Sequence, residues 1–145
     1  MVYGFDGGKK VKGRKRHIVV DSQGLMIGVL VSEAHASERL GAVIVLHQDK
    51  EKLSKLKVVW VDQGYSGPNF ENAVRQVCGE HVQVEVIKRS SKAFEKLPKR
   101  WIVERTFGWL NRFRRLSKDY EVYCEVSEAM IASSLMRLML KRLTA

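Results

Sequence analysis

Cysteine, proline and long apolar runs are all scarce in this sequence of 145 residues, and each shortage excludes a class of protein. The two cysteines, Cys78 and Cys124, are too few for a disulfide framework or a zinc cage, so we expect a reducing, cytoplasmic setting. Two prolines and a hydrophobic fraction of 45% exclude a disordered or collagen-like chain. The longest apolar stretch, residues 129–140, is too short for a bilayer, and no signal peptide is visible, so we predict no membrane segment.

Acidic residues are few as well, because 16 Asp and Glu stand against 26 Lys and Arg, which gives a formal net charge of +10. The basic residues concentrate in two blocks, residues 9–16 and 88–118, and the second block is interleaved with Trp and Phe. A solvated surface or a localisation signal would explain one block alone. Two such blocks favour a nucleic-acid partner, since Lys and Arg release counterions from phosphates. The predicted DNA-binding residues are Lys9, Lys10, Lys12, Arg14, Lys15, Arg16, Arg100, Arg105, Arg112 and Arg115.

The hydrophobic pattern predicts one α/β domain over residues 1–145, in which residues 1–13 form a flexible basic arm. Two β-branched runs around Gly24 predict a hairpin, and the later strands alternate with helices, so we expect a mixed sheet with one antiparallel edge. The run before Asp62 is typical of a strand covered on both faces. The predicted strands cover residues 17–21, 25–32, 57–62 and 82–87, and the predicted helices cover residues 33–47, 69–78, 100–116 and 127–143.

Two carboxylates in this basic setting are candidates for chemistry. Asp62 ends a predicted strand ahead of a glycine turn, where open α/β sheets place functional groups, although a turn or capping aspartate has the same pattern. Glu104 lies among arginines on the predicted helix, where an ordinary surface ion pair with Arg100 is the alternative. If the two converge, they can bind Mg²⁺, and a pair of such ions can flank a scissile phosphodiester.

Five stretches of the chain, in consistent order and spacing, resemble bacterial insertion-sequence transposases of the DDE type, and in particular the insertion sequence 5 family. The resemblance implies an RNase H-like mixed sheet with flanking helices, and Mg²⁺- or Mn²⁺-dependent cleavage and transfer of DNA strands at transposon ends. It makes Asp62 the second catalytic Asp, Glu104 the catalytic Glu and Arg100 its companion arginine. The stretches are residues 4–17, 20–25, 61–67, 98–110 and 114–121.

The first catalytic Asp of this family lies on the first, central strand of the sheet, upstream of the segment that matches residues 4–17. The resemblance therefore implies a C-terminal portion that lacks this strand, is inactive alone and pairs with an upstream transposase polypeptide or with itself. Asp21 is expected to be a hairpin residue, and Asp6 lacks a rigid strand to hold it. A non-catalytic DNA-binding remnant, acting as a transposition inhibitor, is one alternative. The other is an RNA-binding protein in which both carboxylates are structural.

Overall fold

A computed structural model describes residues 4–7, 10–87 and 100–145, and these form a mixed α/β arrangement, which confirms the predicted class. The strands are β1 (Gly4–Asp6), β2 (Val11–Val20), β3 (Met26–Glu33), β4 (Val58–Asp62) and β5 (Gln83–Ile87). The helices are α1 (Glu38–Gln48), α2 (Pro68–Cys78), α3 (Arg100–Asn111) and α4 (Cys124–Leu143), with 3₁₀ turns at Lys50–Leu53, Gln63–Tyr65 and Arg114–Leu116.

The β2–β3 hairpin closes at the predicted position because its turn sequence supplies its own hydrogen bonds. The Asp21 carboxylate accepts hydrogen bonds from the backbone N–H groups of Gln23 and Leu25, both at 2.9 Å. Gly24 adopts a φ of +84°, which a residue with a side chain rarely adopts. Asp21 is therefore a turn residue, as the sequence predicts.

A register shift interrupts the hairpin one residue from its turn. Val19 pairs with Gly28, but Val20 pairs with Met26, so Ile27 is the extra residue of a β-bulge. The bulge turns Ile27 toward one side of the hairpin, whereas Val29, two residues further along β3, packs on the other side.

The second sheet consists of β4 and β5, which pair in parallel and are connected through α2. Pro68 stands in the first turn of α2, and Gly79, with φ at +122°, ends the helix. Val59 and Val61 of β4 pack against the core beside α2, whereas Trp60 points the other way and is 38% exposed. Among the described residues only one face of this strand packs into a hydrophobic cluster, so the covering of both faces stays a prediction.

Two hydrophobic clusters lie on opposite sides of the hairpin. The first joins Val31 of β3 to residues of α3 and α4, including Leu110, Ile131 and Leu135. The second joins α1 and α2 through Leu46, and it also contains Val19 of β2. The hairpin is thus the layer between two groups of helices.

Helix α1 lies close on the hairpin because Gly41 faces the His17 ring. A side chain on Gly41 would come within 2.5 Å of that imidazole, so the close approach depends on glycine at this position. His17 itself is buried and forms a 2.7 Å hydrogen bond between Nε2 and the Ser32 hydroxyl.

Several boundaries differ from the sequence prediction. Part of the predicted flexible arm is strand, since β1 pairs with residues 11–13 and β2 begins at Val11. Helix α3 ends at Asn111 and α4 begins at Cys124. The strands form two small sheets instead of one. The predicted basic loop at residues 88–99 lies outside the described residues, and within those described no helix has the length and apolar character to cross a bilayer.

Candidate active site

Asp62 lies at the carboxyl end of β4, and its side chain fixes the turn that follows. Its Oδ1 accepts a hydrogen bond from the backbone N–H of Gly64 at 2.9 Å, so Asp62 caps the 3₁₀ turn at Gln63–Tyr65. The side chain is exposed. The structure thus gives Asp62 the capping role that the sequence left open, at a strand end that is accessible to a ligand.

Glu38 is a second carboxylate beside Asp62, and nothing in the sequence marks it as a site residue. Around the position that a Cβ on Gly64 would occupy, Asp62 Oδ1 lies at 3.1 Å and Glu38 Oε2 at 3.7 Å. Arg39 fixes the same turn, because its Nε donates to the Gly64 carbonyl oxygen at 3.1 Å. Glycine at this position therefore leaves open the space on which two carboxylate oxygens converge.

The carboxylates create a negative field that reaches Tyr65. The pKa of Tyr65 is raised to about 12, mainly by burial of its ring and in addition by the negative charges of Glu38 and Asp62. The ring is held by Phe70, with 5.6 Å between the ring centroids. Tyr65 therefore stays a neutral hydroxyl at physiological pH.

A basic residue from the first block adjoins this pair of carboxylates. Lys15 Nζ lies 3.8 Å from Glu38 Oε1 and donates to the Ala36 carbonyl oxygen at 3.1 Å. We call Asp62, Glu38, Gly64, Tyr65 and Lys15 together the Asp62 site. It combines two acids with a cation, which is suited to a phosphate held through a divalent metal ion.

Glu104 lies on α3 and is exposed. Helix α3 contacts the β2–β3 turn, where the Thr106 hydroxyl donates to the Gly24 carbonyl oxygen at 2.7 Å. The Asp62 site instead adjoins β2 at Lys15, and the five residue steps from Lys15 to Val20 span about 16 Å. A site shared by Asp62 and Glu104 stays a prediction.

The predicted DNA-binding residues divide into two groups. Arg14 and Arg16 are used within the chain: Arg14 pairs with Asp119 at 3.2 Å and its side chain is 1% exposed, while Arg16 donates to the Leu116 carbonyl oxygen at 2.8 Å. Arg115 pairs with Glu121 at 2.7 Å but stays exposed. Lys10, Lys12 and Arg112 are exposed, whereas Lys9 and the side chain of Arg100 lie outside the described residues.

Arg105 lies between two indole rings of its own helix. Its guanidinium carbon is 4.6 Å from the Trp101 ring centroid and 4.8 Å from that of Trp109. It also donates to the Gln23 carbonyl oxygen in the hairpin turn. These contacts fasten α3 to the turn, so Arg105 has a structural role that its position in a basic block did not indicate.

A divalent metal ion fits the donor chemistry of the Asp62 site, since Mg²⁺ and Mn²⁺ prefer carboxylate oxygens. Two carboxylates supply fewer ligands than such an ion takes. Across residues 4–7, 10–87 and 100–145, no group of three or more His, Cys, Asp and Glu side chains is placed to hold a metal ion. The site is therefore a partial one within the described residues.

Comparison with known proteins defines the class. The family described as the transposase DDE domain matches residues 1–139, and the chain belongs to this family. The chain is also similar to the putative transposase for insertion sequence element IS402 of Burkholderia cepacia, with 28% identity over 127 residues. That match covers 82% of this chain and 59% of the relative, so the chain spans under two thirds of the relative's length. No solved structure matches.

Proposed function

We propose that this chain is the C-terminal catalytic portion of an insertion-sequence transposase of the insertion sequence 5 group, acting on DNA in the cytoplasm. The observation that carries the proposal is the convergence of Asp62 and Glu38 on the space above Gly64, with Lys15 beside them. Membership of the DDE transposase family supplies the reaction class, which is phosphodiester cleavage and strand transfer.

The Asp62 site contributes charge and position to this reaction. A bound Mg²⁺ or Mn²⁺ would polarise the scissile phosphodiester and lower the pKa of an attacking water or hydroxyl. Asp62 and Glu38 would hold such an ion, and the Asp62 carboxylate is already oriented by the Gly64 N–H. Lys15 places positive charge where the phosphate backbone would enter. Glu104 is the third carboxylate by its resemblance to the family's catalytic Glu.

We further propose that a strand carrying another catalytic Asp joins the sheet between β2 and β4, which gives the RNase H-like arrangement. In support, the described part of β2 pairs with β3 along one edge and with the short β1 only at residues 11–13 of the other. Within the same described residues, β4 pairs with β5 alone. Unpaired strand edges are costly unless another strand or solvent satisfies them.

The test compares three carboxylate variants in a cleavage assay on DNA that bears transposon ends, with Mn²⁺, using the chain together with an upstream polypeptide that carries the proposed strand. Asp62→Asn should reduce cleavage by at least about 100-fold, since a metal ligand is lost. Glu38→Gln and Glu104→Gln test the two candidates for a further metal ligand, and a loss of cleavage identifies the carboxylate that serves as one. Glu71→Gln, on α2 and outside the site, is the matched control.

Two results would contradict the proposal. Full cleavage by Asp62→Asn would remove the Asp62 site from the reaction. DNA binding without any Mn²⁺-dependent cleavage, with the upstream polypeptide present, would favour the non-catalytic remnant or inhibitor of transposition.

A further inference from the structure

Helix α4 has two faces, and only one of them packs against the rest of the described chain. Ser127, Ile131 and Leu135 are buried in or beside the cluster that covers β3. A second row of residues on the same helix is exposed, and its larger members are 42% to 77% exposed. We call this set the α4 row, and it consists of Val126, Ala129, Ser133, Met136, Leu140 and Leu143.

The spacing of the α4 row is that of a helix that packs against another helix. Successive members are separated alternately by three and four residues, which is the heptad spacing of a coiled coil. A helix that packs on one side only usually has polar residues on its other side. A continuous exposed row of this kind marks an interaction surface.

The charges on α4 are divided between its two ends. Glu125 lies near the start, and Arg137 and Lys141 lie near the end. The other two charges are engaged within the chain, since Glu128 accepts a hydrogen bond from the Val31 N–H and Arg142 lies over the Trp109 ring. The helix dipole favours this distribution on its own, so the charges alone do not indicate a partner. If the partner is a second α4, however, the charges favour one orientation. A parallel pair brings like charges together, whereas an antiparallel pair brings the acidic start beside the basic end.

The sizes of the residues in the α4 row favour the same orientation. An antiparallel pair centred between Ser133 and Met136 places these two residues opposite each other across the interface. It also places Ala129 opposite Leu140 and Val126 opposite Leu143. Each large side chain then faces a smaller one, which is how well-packed helix interfaces interdigitate. A parallel pair would place Ala129 and Ser133 opposite their own copies.

We propose that two copies of this chain associate through the α4 row, with their α4 helices antiparallel. This inference goes beyond the proposed function, because it depends on neither DNA nor a metal ion. The sizes of the side chains and the charges on α4 both favour a second copy of the chain as the partner of the α4 row.

Analytical ultracentrifugation of the chain tests the association. We expect a species of twice the 16.6 kDa chain mass at micromolar concentration. Leu140→Glu should raise the dissociation constant by at least about 100-fold, because both copies lose a buried leucine and gain a charge at the interface. Leu40→Glu is the matched control, since Leu40 on α1 is 58% exposed and Leu140 is 56% exposed. Circular dichroism confirms that both variants are folded.

Cysteine cross-linking tests the orientation. In a chain with Cys78→Ala and Cys124→Ala, we mix copies that carry Val126→Cys with copies that carry Leu143→Cys. The antiparallel pair predicts a disulfide between positions 126 and 143 of different copies, and little linkage between identical positions. A dominant link from 126 to 126 would overturn the antiparallel arrangement.

Three further results would overturn the proposal as a whole. The first is a monomer at every concentration up to about 100 μM, which is well above the dissociation constant of a stable dimer. The second is a dimer that Leu140→Glu leaves intact, which would place the interface elsewhere. The third is a monomer whose melting temperature falls with Leu140→Glu, which would show that another segment of the same chain covers the α4 row.

Discussion

The Arg14 guanidinium is bound to the Asp119 carboxylate at 3.2 Å, and the same group donates to the Glu121 and Val122 carbonyl oxygens. These contacts fasten the start of β2 to the segment ahead of α4. Arg14→Ala should therefore destabilise the fold by about 1–3 kcal/mol, because the partly buried Asp119 carboxylate and two carbonyl oxygens lose their donor. Urea unfolding measures the loss. Arg115→Ala, which breaks an exposed pair with Glu121, should change stability much less; equal losses would contradict a special role for Arg14.

The contact between Gly24 and α3 can be tested with one methyl group. Gly24→Ala should destabilise the fold by about 1–2 kcal/mol, because a side chain is strained at φ +84° and would lie 2.9 Å from Arg105 Nη2. Gly108→Ala is the matched comparison on α3, where a Cβ meets nothing within 4 Å. That variant should stabilise the helix by up to about 1 kcal/mol. Thermal unfolding measures the stability of both variants. If Gly108→Ala is destabilised as much as Gly24→Ala, the contact between the turn and α3 is not the cause.

His17 should make folding stability depend on pH. Burial lowers the pKa of His17 below its ordinary value of about 6.5; the Glu38 charge opposes this and the Lys15 charge adds to it. Above pH 6.5 the folded and unfolded chains both hold neutral imidazole. As the pH falls below 6.5, the unfolded chain takes up the proton first, so stability is lost. Urea unfolding at pH 7 and pH 5 measures this loss.

The controls for this pH dependence are two histidine variants. His17→Gln should make the loss between pH 7 and pH 5 smaller. His47→Gln, at an exposed position at the end of α1, is the matched control. An identical pH dependence in all three chains would contradict the prediction for His17.

Exposed cations should account for the salt dependence of DNA binding. Lys12→Gln and Arg112→Gln should each flatten the log–log dependence of affinity on salt by up to about 0.9, the value for one lost phosphate contact. Arg75→Gln removes the same charge from α2, outside both basic blocks, and should leave the slope close to that of the unchanged chain. Fluorescence anisotropy at several salt concentrations gives the slopes. Equal flattening by all three variants would indicate a general charge effect instead of a defined footprint.

The sequence predicts local structure well where single residues decide it. Pro68 and Gly79 bracket α2, and the Asp21 to Gly24 segment closes the hairpin, because these residues act through their own backbone. The arm before Val11 has no hydrophobic period, and its strand depends on pairing between β1 and β2. Such pairing is tertiary and has no local signal.

Only part of the candidate site can be predicted from the sequence, because the rest also depends on tertiary packing. Asp62 has a strand before it and a glycine turn after it, and both are visible in the sequence. Glu38 follows the Ser37 cap of α1, where an acidic residue is explained by helix capping alone. Its approach to Gly64 comes from the packing of α1 beside the β4 strand end. Burial of Arg14 is likewise invisible in a basic run, because its partner Asp119 is 105 residues away.

The bulge between Val19 and Val20 has a consequence for how the chain unfolds. Because Ile27 and Val19 pack into one hydrophobic cluster while Ile18 and Val29 pack into the other, a single hairpin belongs to both. Loss of either cluster exposes apolar residues of the strands on which the other depends. Amide hydrogens in α2 and in α4 should therefore exchange through the same global opening, with one shared free energy, even though the two helices lie on opposite sides of the hairpin.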